Sequence, residues 1–454
     1  MTQSHLCAIV LPVWKTEGFV HYRILAKIGL FLLVIVALTV CMGWPNAALA
    51  ETSTYKALKS LSPPTPEAIA KLRKAADLGN ANAQAILGGL YDLGIGVLQD
   101  HAKSALWYRK AAEQGVASAQ NNLGTDYYEG QGVPLDYAKS IVWFKKAAEQ
   151  NFSIAQNNLG LAYLKGRGVS QDYTKAALWF RRAAMQGEAS AQNNLGSLYT
   201  QGTGVPQNYA TASVWFRKAA EQGYGAAQYN LGVAYSEGRG VKRDYVKAAH
   251  WFRKGAVQGD SNAQYNLGEF YDKGQGLSQD YAKAAHWFRK AADQHLASAQ
   301  YNLGLFYEKG LGVSQDYAKA VLWYRKAALQ GDAYAQFALG EAYVHGEGIP
   351  LDYGKAVFWF QRSAEQGNGN AQVLLGALYG KGEGITQNYI NSLKWLLIAK
   401  TNHSTQTTYL KNLTKSISWV EQRMPDPKIA KAKRLAEQWR STHQKDQSLS
   451  ARTR

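Results

Sequence analysis

The chain has 454 residues, 46% of them hydrophobic, and a formal net charge of +18 at pH 7. A chain of this length is longer than one globular core usually fills. The two cysteines are Cys7 and Cys41, and their positions exclude disulfides, thiolate metal sites and a cysteine nucleophile from the chain beyond residue 50.

The N-terminus has the composition of an export signal. Arg23 and Lys27 precede an uncharged apolar run at 28–42, and Ala-Leu-Ala follows at 48–50. Because the 15 residues of this run are fewer than the about 20 that cross a membrane, we expect cleavage near Ala50 and a periplasmic or extracellular protein. The alternative is an inner-membrane anchor formed by residues 28–50. An exported basic protein meets acidic proteins or anionic envelope components, so we expect no nucleic-acid ligand.

A six-residue motif then recurs with a period of 36 residues. It reads AQNNLG at 119–124, 155–160 and 191–196, and AQYNLG at 227–232, 263–268 and 299–304. Alignment on the glutamine gives nine copies without insertion: Gln84, Gln120, Gln156, Gln192, Gln228, Gln264, Gln300, Gln336 and Gln372. The alanine before each glutamine, the leucine three residues after it and the tyrosine seven residues after it are spaced i, i+4, i+8, which predicts one apolar stripe of a helix. We name this element the A helix.

A second helix follows each A helix. A Gly-x-Gly sequence ends every A helix, and four residues after its second glycine stands an aspartate or asparagine, for example Asp136. Glycine closes helix C-termini and aspartate caps helix N-termini, so we expect a second helix here, the B helix, with a tryptophan in every copy. Two short helices cannot bury their apolar faces alone, but stacked pairs share a continuous core.

These residues resemble the Sel-one-like repeat (SLR) family of tetratricopeptide-like proteins, in its bacterial exported type. The resemblance implies an all-α fold, an α/α solenoid wound as a right-handed superhelix of nine 36-residue helix-turn-helix repeats. It also implies an adaptor or scaffold that binds a protein or peptide on the concave surface of the A helices. We expect a signal peptide or anchor at 1–50, an N-terminal segment and capping helix at 51–79, nine repeats at 80–403, C-terminal capping helices at 404–442 and a disordered basic tail at 443–454.

The asparagine before Leu-Gly is a candidate binding residue in six copies. These residues are Asn122, Asn158, Asn194, Asn230, Asn266 and Asn302. The helical spacing predicts that they lie at the shoulder of the face turned away from the B helix, outside the core. Their amides donate and accept, which suits an extended peptide backbone, and the resemblance to tetratricopeptide proteins implies a peptide-binding ladder. In the alternative interpretation, asparagine bonds the adjacent repeat and holds the register, or is inherited by duplication.

The position directly after the glutamine points most directly outward in this prediction. It changes from asparagine in copies two to four to an aromatic residue in copies five to eight: Tyr229, Tyr265, Tyr301 and Phe337. Stiff aromatic side chains beside amides are typical of recognition surfaces. We therefore expect a binding groove in copies five to eight. The alternative is that the rings pack against long neighbours such as Lys273 and Lys309.

The B helices carry pairs of basic residues, such as Arg109-Lys110. We interpret them as a solvated outer face; the alternative is a scaffold that binds anionic envelope polymer or lipid. The sequence contains no HExxH, GxSxG or P-loop motif and no paired metal ligands. We therefore expect a monomer without cofactor, metal or enzymatic activity. A penicillin-binding or β-lactamase-like hydrolase is a remote alternative, since Ser53-Thr54-Tyr55-Lys56 is an isolated S-x-x-K sequence.

Overall fold

The computed structural model describes residues 64–402 and 407–452, and these residues form twenty-one α-helices and no strand. The chain divides into two compact units between residues 243 and 244. Both units consist of helical hairpins in tandem, which confirms the predicted all-α repeat fold. The predicted signal at 1–50 and the S-x-x-K sequence at 53–56 lie outside the described residues.

The first unit contains ten described helices. They are α1 Pro66–Asp77, α2 Ala81–Leu93, α3 His101–Glu113, α4 Ala117–Glu129, α5 Tyr137–Glu149, α6 Ser153–Lys165, α7 Tyr173–Met185, α8 Ala189–Gln201, α9 Tyr209–Glu221 and α10 Gly225–Glu237. The second unit contains eleven described helices. They are α11 Tyr245–Val257, α12 Ser261–Lys273, α13 Tyr281–Asp293, α14 Ala297–Lys309, α15 Tyr317–Leu329, α16 Ala333–His345, α17 Tyr353–Glu365, α18 Gly369–Lys381, α19 Tyr389–Asn402, α20 Thr407–Glu421 and α21 Asp426–Arg452. Even numbers from α2 to α18 are A helices, and odd numbers from α3 to α19 are B helices.

Helix boundaries follow local chemistry. The Oδ1 atom of Asp136 accepts a hydrogen bond from the backbone N–H of Lys139 at 2.9 Å and so caps α5. Gly130 has φ 70° and ends α4 in the left-handed conformation. A Cβ on Gly132, the second glycine of this turn, would stand 1.9 Å from the carbonyl oxygen of His101. The predicted caps are therefore confirmed, and the second glycine allows the turn to touch the preceding B helix.

The glutamine of the motif connects an A helix to the helices on both sides of it, as Gln156 of α6 illustrates. Gln156 is 1% exposed. Its Nε2 donates to the carbonyl oxygen of Ala148 in α5 at 3.1 Å, and its Oε1 accepts from Gln186 Nε2 after α7 at 2.7 Å. Beside it, a Cβ on Gly160 would stand 2.6 Å from the ring of Phe180, so glycine permits the close approach of α6 and α7. The Ala-Gln and Leu-Gly pairs are thus packing elements.

Additional helices pack on both terminal repeats. At the front, Ala76 of α1 belongs to one cluster with Leu87 of α2. At the back, Ile417 of α20 and Ala432 of α21 pack with Leu396 of α19. The last helix continues to Arg452, although the sequence predicts disorder from 443. No glycine or proline lies between 443 and 452, so no residue interrupts the helix. Within the described ranges, no helix is long and apolar enough to span a bilayer.

Candidate binding face of the A helices

Each A helix has a side that lies opposite the apolar stripe formed by the alanine, leucine and tyrosine of its motif. We define the A face as the side chains at the first, second, fifth and eighth positions after the motif glutamine. At about 100° per residue the first, fifth and eighth positions fall opposite the stripe formed by alanine, leucine and tyrosine, and the second position lies at the shoulder of that side. All ten predicted binding residues occupy its first or second position.

In the first unit, asparagine amides bond to one another across neighbouring A helices. The Nδ2 groups donate to Oδ1 atoms one repeat earlier: Asn158 to Asn121 at 3.0 Å, Asn194 to Asn157 at 3.0 Å and Asn230 to Asn193 at 2.8 Å. Asn158 and Asn194 are 2% and 9% exposed. The prediction that this column lies outside the core is wrong for these two residues, because a neighbouring A helix covers the shoulder that one hairpin alone leaves open. Their contacts match the alternative in which asparagine holds the repeat register.

The other predicted residues of the first unit also contact the stack. Asn122 is half-buried, and its Oδ1 accepts from Asn121 Nδ2 at 3.3 Å. Asn230 is half-buried as well. Tyr229 is 7% exposed, so the prediction that it points outward is wrong. The first unit therefore uses its A-face amides within the structure, and we name this set of bonded asparagines the amide ladder.

In the second unit, the same positions carry half-buried aromatic rings. Each ring packs on a ring of the B helix in its own repeat, with centroid distances of 5.7 Å for Tyr265 and Phe288, 5.8 Å for Tyr301 and Tyr324, and 5.7 Å for Phe337 and Phe360. Tyr301 also lies 6.0 Å from Tyr334, which is 45% exposed. We name Tyr265, Tyr301 and Phe337 the aromatic row. Its rings rest on the core but are not fully covered by it.

The second-unit asparagines are not joined in an amide ladder. Asn266 Nδ2 donates to the carbonyl oxygen of Asn262 in its own helix at 2.9 Å. Asn302 Nδ2 lies 3.4 Å from both Tyr265 Oη and Glu269 Oε1. These two distances are long for hydrogen bonds, so the contacts of Asn302 are weak and exchangeable. Both asparagines are half-buried, and Asn302 lies beside the aromatic row.

Carboxylates surround the aromatic row, and the sequence analysis did not identify them. Glu269, Asp272, Glu308 and Glu341 lie at fifth or eighth positions of α12, α14 and α16, and Asp332 caps α16. Glu269 Oε1 accepts from Tyr265 Oη at 3.2 Å, and Glu308 Oε2 accepts from Tyr324 Oη at 2.7 Å. These acids cluster in copies six to eight of a strongly basic chain, and this clustering is visible in the sequence.

Burial shapes the electrostatics of this face. It raises the pKa of Asp332 above the usual 3.8, and it raises the pKa of Glu341 above 4.5 with a further contribution from Glu308. It also raises the pKa of Tyr301 to about 12, with added contributions from Asp332 and Glu308. The second unit therefore concentrates negative charge where solvent stabilises it poorly.

The basic residues of the B helices are engaged within the repeat. Arg109 donates to Tyr127 Oη at 2.7 Å, and the same arginine–tyrosine bond recurs in other repeats. Lys110 lies over the ring of Trp107, with Nζ 4.2 Å from the centroid. These contacts fit the interpretation of a solvated outer face. In the described part of the chain, no group of three or more His, Cys, Asp or Glu residues is arranged to hold a metal ion.

Comparisons with known proteins agree with this architecture. The Sel1 repeat family model matches nine segments: 81–116, 117–152, 153–188, 189–224, 225–260, 261–296, 297–332, 333–368 and 369–402. The crystal structure of a protective antigen present in uropathogenic Escherichia coli strains, displaying an SLR fold, is 32% identical over 93% of this chain and 94% of that chain, with a TM-score of 0.51. A Sel1 repeat protein from Oxalobacter formigenes is 33% identical over 75% of this chain and 99% of that chain, with a TM-score of 0.51. A search of curated proteins gave no match.

Proposed function

Because the chain belongs to the Sel1 repeat family, we propose that it is an adaptor that binds a segment of a partner protein on the A face of its second unit. Sel1 repeat proteins generally mediate protein–protein interaction and are typically scaffolds without enzymatic activity. The observation that carries the proposal is the aromatic row, three half-buried rings at one position of three consecutive A helices.

The dimensions of the aromatic row suit an extended polypeptide. Neighbouring packed helices lie about 10 Å apart, so three A helices span about 20 Å. An extended chain advances about 3.3 Å per residue, so about six residues cover this length. Stiff rings lose little conformational entropy on binding, and the amide of Asn302 donates and accepts hydrogen bonds with a peptide backbone. These properties support a peptide-binding role for Tyr265, Tyr301, Phe337 and Asn302.

Affinity capture tests the proposal. The full-length chain and its Tyr265→Ala, Tyr301→Ala variant are immobilised and exposed to an envelope extract of the source cell, and the retained proteins are identified by mass spectrometry. The matched control is Tyr281→Ala, Tyr317→Ala, because these tyrosines are 36% exposed and lie on B helices of the same repeats. We expect partners to be lost from the first variant and kept by the control. Recovery of the same partners by all three proteins would contradict the proposal.

We further propose that the protein is exported. The support is the basic, apolar and small-residue pattern of 1–50, which lies outside the described residues. N-terminal sequencing of the protein from fractionated cells tests this, with a start at Glu51 in the envelope or medium as the expected result. An intact N-terminus in the membrane fraction would support the anchor alternative.

A second candidate is a scaffold that binds anionic lipid or polymer through the B helices. The observation in its favour is a row of exposed apolar side chains beside the bases, with Leu106, Val142 and Leu178 between 47% and 51% exposed. Binding through bases weakens steeply with ionic strength, whereas binding through rings and amides changes little. Sedimentation with vesicles of phosphatidylglycerol and phosphatidylcholine at rising salt therefore distinguishes the two candidates.

A further inference from the structure

The acids beside the aromatic row are a local reversal of charge in a chain whose formal net charge is +18. Three of them belong to the two neighbouring A helices α14 and α16: Glu308 at the eighth position of α14, Glu341 at the fifth position of α16 and Asp332 at the cap of α16, two residues before Tyr334, whose ring lies 6.0 Å from that of Tyr301. Glu308 is held by Tyr324, whose ring packs 5.8 Å from that of Tyr301. Rings and carboxylates therefore form one surface, which we name the acidic–aromatic face.

Among the described residues, one ion pair with a base occurs at this surface. Lys273 pairs with Glu269 at its edge. Glu308, Asp332 and Glu341 form no ion pair among the residues that the structure describes, although Glu341 lies near His345. In the first unit, by contrast, A-face Asp92 hydrogen-bonds to His101 at 2.9 Å, and Glu237, one position further along its helix, pairs with Arg239 at 2.7 Å. The second unit thus presents three carboxylates without a cationic partner.

We propose that the acidic–aromatic face selects partner segments that carry lysine or arginine next to apolar residues. This inference rests on the binding role proposed above and names the chemistry of the partner. Aromatic rings attract cations over their faces and pack on the aliphatic stems of lysine and arginine. Carboxylates at the ring edges bind the charged ends, and Glu308, Asp332 and Glu341 gain a counter-charge that no ion pair within residues 64–402 and 407–452 supplies.

An oriented peptide library tests the chemistry. The full-length chain is immobilised and incubated with a degenerate pool of 12-residue peptides, and the retained pool is sequenced. We expect lysine and arginine to be enriched about fivefold over the input and aspartate and glutamate to be depleted. This outcome is informative because the net charge of the whole chain favours acidic peptides. Non-specific attraction therefore gives the opposite enrichment.

The discriminating variant is Glu308→Gln, Asp332→Asn, Glu341→Gln. Glutamine at 308 still accepts from Tyr324, and asparagine at 332 still caps α16, so the fold is preserved. The matched control, Glu113→Gln, Glu149→Gln, Glu221→Gln, removes three exposed charges from B-helix ends. We expect the first variant to lose the lysine and arginine enrichment while keeping apolar preferences, and the control to behave as wild type.

The outcomes separate the inference from the function on which it rests. If the wild-type chain retains peptides that are not enriched in lysine or arginine, this inference alone is overturned. The same holds if the Glu308→Gln, Asp332→Asn, Glu341→Gln variant enriches lysine and arginine as strongly as wild type. Peptides retained equally by wild type and by Tyr265→Ala, Tyr301→Ala overturn the location of the binding site. Retention of no peptide by the wild-type chain overturns both proposals.

Discussion

The A faces of the two units share one backbone position and differ in its side chain. In the first unit, Asn157 at this position accepts a hydrogen bond from Asn194 of the next repeat, and both amides are buried. In the second unit, Tyr265 at this position meets Asn302 only at 3.4 Å. The asparagine before Leu-Gly therefore bonds to the preceding repeat where that repeat carries asparagine at the first position, and Asn302 is weakly held where the preceding repeat carries Tyr265. Tyr229 of the first unit is buried all the same, so the residue at this position and its surroundings together decide whether the A face is covered.

Converting the second unit to the pattern of the first should produce the largest change in peptide affinity. In the Tyr265→Asn, Tyr301→Asn variant, Asn302 gains an amide acceptor at 265 and the rings are lost. Truncation of aromatic anchors typically costs about 2 kcal/mol or more, so affinity for the most enriched library peptide should fall about 30-fold. Fluorescence anisotropy measures this loss. Equal affinity in wild type and variant would remove the aromatic row from the binding site, and Tyr281→Asn, Tyr317→Asn serves as the control.

The reverse exchange should destabilise the first unit. Asn157→Tyr inserts a ring at a position that is 0% exposed and removes the acceptor of Asn194. Overpacking and an unpaired buried amide together cost about 2–4 kcal/mol. Hydrogen exchange in α6 and α8 measures the change, because repeat proteins unfold locally. Asn82→Tyr is the control, since Asn82 is exposed on an A helix and its replacement should change stability by less than about 0.5 kcal/mol. Similar hydrogen-exchange protection in Asn157→Tyr and Asn82→Tyr would contradict the tight packing of the A face in the first unit.

Single amide deletions should separate the two roles of asparagine. Asn194→Ala removes a donor at 9% exposure and leaves Asn157 Oδ1 without its bond, which should cost about 1–2 kcal/mol. Asn302→Ala removes only two 3.4 Å contacts and should cost less than about 0.5 kcal/mol. The measurement is local hydrogen exchange in α8 and α14. A larger cost for Asn302→Ala would reverse the assignment of the two faces.

Capping residues within one turn predict the helix ends, but they do not predict which A-face side chains are buried. Asp136 and Gly130 define helix ends through their own turns, so neighbouring sequence is sufficient to find them. The burial of Asn158 depends on an adjacent A helix, and a single-helix projection contains no information about that neighbour. The acids beside the aromatic row are hard to recognise from the sequence for a related reason. Glu341 stands at the fifth position and Glu308 at the eighth, so no single repeat column displays them together.

Acid should weaken peptide binding at the second unit. Burial raises the pKa of Glu341 and Asp332, so these carboxylates take up protons at higher pH than ordinary acids and lose the charge that attracts lysine. The titratable groups that face Glu341 are Glu308, His345 and Glu347. We expect affinity to fall about threefold from pH 7 to pH 5. The Glu308→Gln, Asp332→Asn, Glu341→Gln variant should show a flatter profile, and an equally steep one would contradict the role of these acids.

The smallest effect should be equal in both units, because it lies in hairpin turns away from the A face. Asn151 and His295 have φ of 61° and 64°, where the other repeats place glycine. Glycine adopts this conformation without strain but loses more entropy on folding, so Asn151→Gly and His295→Gly should each stabilise their own unit by about 0.5 kcal/mol. A Cβ at the equivalent Gly187 would meet no atom within 4 Å, so side-chain contacts do not complicate the result. Hydrogen exchange in α5 and α13 measures both gains. Equal gains would mean that the hairpin backbone is the same in both units, and unequal gains would show that the two units differ beyond the A face.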